Sequence, residues 1–295
     1  MNRLFKISAS ISLVLFALLN FAAAQQTQSA ATQNLLKLYA SQYHKLWLAK
    51  EFEEALRIID KGLKLDPQNV EFNRGRVWCL YEAQENDSSA LAQADKTLAL
   101  KGGAYSSTYE LKGRILMRMK RYSQAIRAID DGIKAWQREP RNMPSAMHRL
   151  GLLYAQRACI EEAQGKLAAA ENDFGKAIES CPESLEHRSK RVQINIKLQN
   201  WPKVIADSKH ILKYHKPGIV LECRDAYLAL ARAYAAQQNR KDAESIYFQA
   251  SREYPCDRQV LAVATKYFDS INDKKNAEIM RKKLSSMDED FVPFK

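Results

Sequence analysis

The sequence lacks the short motifs from which common catalytic sites are built. Its 295 residues include only 10 glycines and 5 histidines, and the glycines form no phosphate-cradling loop. No two histidines lie one helical turn apart as in zinc proteases, and there is no Gly-x-Ser-x-Gly nucleophile elbow. No histidine has metal-like spacing to a cysteine. These absences predict no catalytic residue, no metal and no cofactor, and therefore a protein that is not an enzyme.

Long apolar stretches are also scarce, and the clearest one lies near the start of the chain. Arg3 and Lys6 precede an apolar stretch over residues 7–21, and three alanines follow at 22–24. This order is typical of a secretory signal peptide, and the stretch is shorter than the roughly 20 residues of a membrane-spanning helix. We expect residues 1–24 to be cleaved on export, and an uncleaved membrane anchor is the alternative.

Cleavage at this point predicts where the mature protein resides. It would be periplasmic or extracellular, or in the endoplasmic reticulum lumen of a eukaryote, and it would have no stable membrane insertion. Residues 25–33 are rich in Gln, Ala, Ser and Thr, and such a composition buries too little apolar surface to fold, so a flexible lead-in is expected there.

Acidic residues are outnumbered by basic ones. The formal net charge is +12, and removal of Arg3 and Lys6 with the signal peptide lowers it to +10. A basic balance often indicates nucleic-acid binding, but export argues against that partner. The expected partners are other proteins, in particular their acidic or extended segments, with no nucleic acid.

A small residue recurs along the rest of the chain at intervals of 34 to 45 residues. Apolar residues with helical period surround each occurrence, and Pro67, Pro182 and Pro255 follow three of them. A self-similar period in this range is typical of stacked helical hairpins. The seven recurring positions are Ala55, Ala90, Ala125, Ala170, Val204, Ala243 and Ala277.

The fourth unit has the clearest pattern, formed by Tyr154, Ala158, Gly165, Ala170, Phe174, Ala177 and Pro182. In order and spacing these residues resemble the tetratricopeptide repeat, a helix-turn-helix of 34 residues. The resemblance implies an all-α, right-handed superhelical solenoid of about seven such units over residues 34–287, followed by a C-terminal tail at 288–295. In the longest interval, Ser145 is expected to cap a helix that runs to about Gln164.

The resemblance also implies where partners bind. In the family, ligands lie in a concave groove lined by the first helix of each hairpin. Counting from the recurring small residues gives a groove with an apolar and aromatic end and a more basic middle and far end. The residues expected to line it are Lys37, His44, Trp47, Phe72, Cys79, Arg114, Met117, Arg118, Cys159, Lys197, Arg232 and Lys266.

Five cysteines are present, an odd number in a protein expected to reach an oxidising compartment. Cys223 and Cys256 each lie just before the first helix of adjacent units, so a disulfide between them is one expectation. Two thiols are the alternative, because helix axes 8 to 10 Å apart make the span marginal for a bond that needs Cα atoms within about 7 Å.

The sequence therefore predicts an exported, non-enzymatic adaptor or scaffold that holds partner proteins in its concave groove. One alternative is a structural subunit of an envelope or secretion assembly, held by its convex face. Another is a carbohydrate-active or redox enzyme whose acidic pairs or thiols form no recognisable motif.

Overall fold

The computed structural model describes residues 29–83, 86–140, 145–214 and 220–289, and every regular element in these ranges is an α-helix. Each odd-numbered helix pairs with the next to form a hairpin, so the predicted all-α architecture of seven hairpins is confirmed. The helices are α1 (29–48), α2 (Phe52–Leu65), α3 (Val70–Glu82), α4 (Asp87–Ala99), α5 (Ser106–Arg118), α6 (Tyr122–Arg138), α7 (Ser145–Ala163), α8 (Leu167–Ser180), α9 (Leu185–Lys197), α10 (Trp201–Tyr214), α11 (Val220–Ala236), α12 (Arg240–Glu253), α13 (Arg258–Ser270) and α14 (Lys274–Glu289).

The chain divides into two compact units. The first ends at Glu139 and contains the hairpins α1 to α6; the second begins at Pro140 and contains the hairpins α7 to α14. Within each unit, the second helix of a hairpin contacts the first helix of the next, as α4 contacts α5 and α10 contacts α11. Each hairpin therefore buries its apolar faces against its neighbours.

The recurring small residues are the centres of this packing. All seven, from Ala55 to Ala277, are fully buried at 0% exposure. Each lies in the first or second turn of the second helix of its hairpin, where a small side chain lets two helix backbones approach closely. The one larger member, Val204, shows that the site tolerates two more methyl groups in hairpin 5.

Six of the seven hairpins turn in the same way. Three residues join their two helices, and the middle residue has a positive φ of 56° to 75°. In the first hairpin, Glu51 N–H donates to the Leu46 carbonyl at 2.9 Å, which satisfies a carbonyl at the end of α1. Only one of these middle residues is glycine, Gly165; the others are Lys50, Lys120, Gln199, Gln238 and Asn272.

Two hairpins of the second unit each contain an ion pair between their two helices. Arg157 of α7 binds the carboxylate of Asp173 on α8, and Arg191 of α9 binds that of Asp207 on α10. Both carboxylates are only 3% exposed. The two pairs occupy equivalent repeat positions, so each one links the first and second helix of its own hairpin.

Two boundaries differ from the sequence prediction and one agrees. Helix α1 begins at residue 29, inside the segment predicted as a flexible lead-in, and α14 continues to Glu289, past the predicted end of the repeats. Helix α7 runs over Ser145–Ala163 and confirms the predicted long helix. Residues 1–28 and 290–295, with the expected signal peptide and most of the tail, lie outside the described residues. None of the described helices is long and apolar enough to span a membrane.

Candidate functional site

The first helices of the first unit carry several of the predicted groove residues on their accessible side. On α1, Lys37 and His44 are exposed and Trp47 is half-buried. Nε2 of His44 lies 3.2 Å from the carboxylate of Glu71 on α3. Glu71 therefore gives His44 an acidic partner, and it is not among the groove residues predicted from the sequence.

Hairpin 2 departs from the predicted register. Phe72 and Cys79 do not line a groove: they are 1% and 0% exposed and belong to the hydrophobic core. The reason is the turn, because four residues separate α3 from α4, whereas three separate the helices of every other hairpin. Counting back from Ala90 thus misplaces α3 by one residue. With that residue restored, Trp78 and Tyr81 occupy the groove positions, and both are half-buried.

Trp78 and Tyr81 belong to an aromatic cluster that crosses the first unit. Trp47 of α1 lies edge-on to Trp78, with ring centroids 6.1 Å apart, and Trp78 lies edge-on to Tyr81 at 6.4 Å. The guanidinium of Arg114 on α5 is 5.5 Å from the Trp78 ring and 5.8 Å from the Tyr81 ring. Such cation–π contacts contribute about 0.5 to 1 kcal/mol at exposed sites. The cluster therefore joins three successive hairpins through one face.

Arg118 contributes less free charge to this face than the sequence predicted. Its Nε donates to the carboxylate of Asp87 at 2.7 Å, and its Nη1 donates to the carbonyl oxygen of Tyr81 at 2.8 Å. Its guanidinium also lies 4.0 Å from the centre of the Tyr81 ring. Asp87 neutralises Arg118, which thereby fixes the start of α4 against α5. Met117 lies beside it and is half-buried.

The second unit has a cavity where the first helices of three hairpins meet. Its volume is about 320 Å³, and its wall is mainly aliphatic, with Ile196 from α9, Leu228 from α11 and Val263 from α13. Tyr247 from α12 also lines it, and burial raises the pKa of this phenol to about 12. The phenol therefore stays neutral to a higher pH than an exposed tyrosine. The wall surface of the cavity is mainly apolar, and polar and charged side chains also line it.

The predicted groove residues of the second unit have different surroundings. Arg232 lines the cavity and is exposed, with its guanidinium 6.0 Å from the ring of Trp201. Lys266 is exposed on α13. Lys197 is paired with Glu162 of α7 at 2.5 Å, whereas Cys159 is half-buried on α7 and lines no described cavity.

The cysteines are thiols in this structure, so no disulfide joins Cys223 to Cys256. Cys223 is buried, while Cys256 is exposed. Burial also raises the pKa of the Cys79 thiol to about 12, so this thiol is protonated and unreactive. Within the described ranges, no group of three or more His, Cys, Asp or Glu residues is placed to bind a metal ion.

Comparisons with known proteins agree with this architecture. Residues 145–184, which contain α7 and α8, match the family model of the tetratricopeptide repeat. A comparison with curated protein sequences found no match. Among solved structures, the C-terminal part of a TPR repeat-containing protein from Cytophaga hutchinsonii is similar, with a TM-score of 0.66, 19% identity, and coverage of 84% of this chain and 95% of that one.

Two further similar structures are smaller. PilW, described as a widely conserved type IV pilus biogenesis factor, has a TM-score of 0.59 and 14% identity over 77% of this chain and 97% of that one. YrrB, described as a TPR protein with an unusual peptide-binding site, has a TM-score of 0.53 and 18% identity over 69% of this chain and 96% of that one. The family match and these structures confirm the predicted repeat fold.

Proposed function

We propose that this chain, built from tetratricopeptide-type hairpins, is an exported, non-enzymatic adaptor that binds other proteins along the first helices of its hairpins. The observation that carries the proposal is the accessible cavity on α9, α11 and α13, where aliphatic side chains meet an exposed arginine. A concave, mainly apolar site with a few convergent polar groups is the usual form of a binding site.

The first unit supports the same proposal through its aromatic cluster. Trp and Tyr are enriched where proteins bind one another, because each offers a large apolar surface with one polar atom. The cluster leaves Trp47, Trp78 and Tyr81 only half-buried, so part of this surface remains available to a partner. YrrB is described as having a peptide-binding site, and this chain has the same fold. We infer that extended segments of partner proteins bind here as well.

Site-specific photo-crosslinking in living cells tests the proposal. A photoreactive amino acid is placed at Leu48 or Gln193, which are exposed on first helices. Matched positions on second helices are Leu65 and Ile279, which are also exposed. An adaptor gives crosslinked partners from the first-helix positions and few from the second-helix positions.

The reverse pattern, with a permanent large complex on size-exclusion chromatography, would refute the adaptor. It would instead favour a structural subunit held by its convex face. PilW, which has a similar fold, is described as a type IV pilus biogenesis factor.

Export is a separate part of the proposal and has its own test. The order of a basic start, an apolar stretch and three alanines supports cleavage after residue 24. Amino-terminal sequencing of the protein from fractionated cells is expected to begin at Gln25. Recovery of an intact N-terminus from the cytosolic fraction would contradict export and leave the binding proposal unaffected.

A further inference from the structure

The cavity of the second unit is surrounded by charges that are unequally neutralised. Arg224 lines it and is already paired, with Nη2 2.7 Å from the carboxylate of Asp225 and Nη1 3.5 Å from that of Asp257. Neither Arg232 nor Lys266 makes an ion pair with any described residue, and both are exposed. Arg232 therefore brings an unpaired positive charge to the cavity lining, and Lys266 lies about one helical turn beyond the lining residue Val263 on α13.

Arg232 and Lys266 occupy the same repeat position on adjacent first helices, α11 and α13, which contact each other. Helices packed in this way have axes about 8 to 10 Å apart. An extended peptide rises about 3.3 Å per residue, so two of its carboxylates could reach both cations if they are about three residues apart. A ligand that contacts both Arg232 and Lys266 has to extend across two adjacent helices, beyond the cavity itself.

The cavity itself fits an aliphatic side chain. Its volume of about 320 Å³ is at the lower end of the range of about 300 to 1,000 Å³ for small-ligand sites. Ile196, Leu228 and Val263 supply an apolar contact surface, and Gln193 and Gln259 add polar groups to the lining. Burial of a branched aliphatic side chain here would remove its apolar surface from water, which favours binding.

Acidic residues lie nearer the starts of the same first helices. Glu186 and Asp225 lie near the starts of α9 and α11, seven residues before Gln193 and Arg232. Seven residues of helix correspond to about 10 Å along the axis. Carboxylates of a partner are therefore favoured beside Arg232 and disfavoured beside Glu186.

We propose that this groove binds an extended peptide segment that inserts an aliphatic side chain into the cavity and places two acidic residues, about three residues apart, on Arg232 and Lys266. The inference deepens the proposed function and rests on it. Among the basic groove residues predicted from the sequence, it places the selection of acidic partners on Arg232 and Lys266, because Arg118 is already paired with Asp87.

Selection from a random octapeptide display library on the full mature protein tests the inference. The wild type is expected to enrich peptides that carry Leu, Ile or Val together with two acidic residues spaced by about three. Arg232→Glu should lower the affinity for a selected peptide about tenfold or more, as loss of a charge-assisted contact does, and favour basic residues instead. Val263→Phe fills the cavity and should remove the aliphatic preference while the acidic preference stays.

Arg252→Glu is the matched control, because Arg252 is an exposed arginine on the second helix α12. It makes the same charge change away from the groove, and the selected sequences should not change. Thermal melting of each variant checks that the fold is retained.

The outcomes separate the two proposals. The inference is overturned if Arg232→Glu and Arg252→Glu change the acidic preference of the selected peptides equally, or if the selected peptides have no aliphatic residue. In either case the proposed function still stands. If the wild type selects no peptide, and crosslinks form only from the second helices, the proposed function fails together with it.

Discussion

The buried carboxylate of Asp207 gives the most direct test of how the hairpins are held together. It accepts hydrogen bonds from Nε and Nη2 of Arg191, both at 2.8 Å, and Nη1 of Arg188 lies 3.3 Å away. The hydrogen bond to Asp207 is also the main cause that raises the pKa of Arg191. We therefore consider the variant Asp207→Ala, which removes the acceptor and leaves both guanidinium groups in place.

The expected cost follows from what each arginine keeps. Arg188 still donates to the Pro182 carbonyl at 3.1 Å, and the side chain of Arg191 is 20% exposed, so water reaches part of it. Breaking a buried ion pair costs about 3 to 5 kcal/mol, chiefly because an uncompensated charge remains. Partial access to water places this case near the lower end, at about 3 kcal/mol of unfolding free energy.

Urea unfolding followed by circular dichroism measures the cost, and hydrogen exchange of α9 and α10 shows whether it is local. The control is Asp131→Ala, which breaks the pair with Lys134, whose side chains are 51% and 65% exposed. An exposed pair contributes about 0 to 1 kcal/mol. If Asp207→Ala costs no more than Asp131→Ala, the ion pair does not hold α9 to α10 and the reasoning is wrong.

Three further changes probe steric fit, backbone strain and protonation. Gly62→Ala would put a Cβ 2.7 Å from the buried ring of Phe72 and should cost about 1 to 3 kcal/mol of unfolding free energy. Its control is Gly175→Ala, whose Cβ meets only an arginine nitrogen at 3.7 Å and which should stabilise the protein by up to about 1 kcal/mol. Equal urea midpoints for the two variants would contradict this. Gly165→Ala should cost about 1 kcal/mol in the same assay through its φ of 75° alone, since no atom lies within 4 Å of the added Cβ, and an unchanged midpoint would show that the turn relaxes. Burial lowers the pKa of His187, so the unfolded chain binds the proton more readily and stability should fall as pH drops below about 6.5; His187→Leu should reduce the difference between urea midpoints at high and low pH, and an undiminished difference would exclude this histidine as its source.

The sequence predicts the hairpins well because their packing requires one small residue at a fixed place. Ala55, Ala125 and Ala243 are fully buried where the spacing places them, and the breaks at Pro67 and Pro182 fall just after α2 and α8. A close helix crossing requires a small side chain at a fixed place in each repeat, so small residues recur at regular intervals in the sequence.

The candidate site was less predictable, because it depends on contacts between different hairpins. A fourth turn residue in hairpin 2 puts Trp78 rather than Cys79 in the groove, and both are apolar residues that fit either face. The neutralisation of Arg118 by Asp87 joins residues 31 apart in the sequence, and no local pattern indicates it. The position of Asn86, which caps α4 through a hydrogen bond from Ser89 N–H, was the one sequence signal for where that turn ends.

The longer turn of hairpin 2 has a consequence for how such a surface can diverge. One residue corresponds to a rotation of about 100° around a helix, which is enough to replace part of the face that α3 presents to the groove. The deletion or insertion of a single codon in an exposed turn could therefore replace an aromatic surface by a different one without any substitution in the groove. Related proteins that differ in turn length would then differ in partner choice even where their helices are identical.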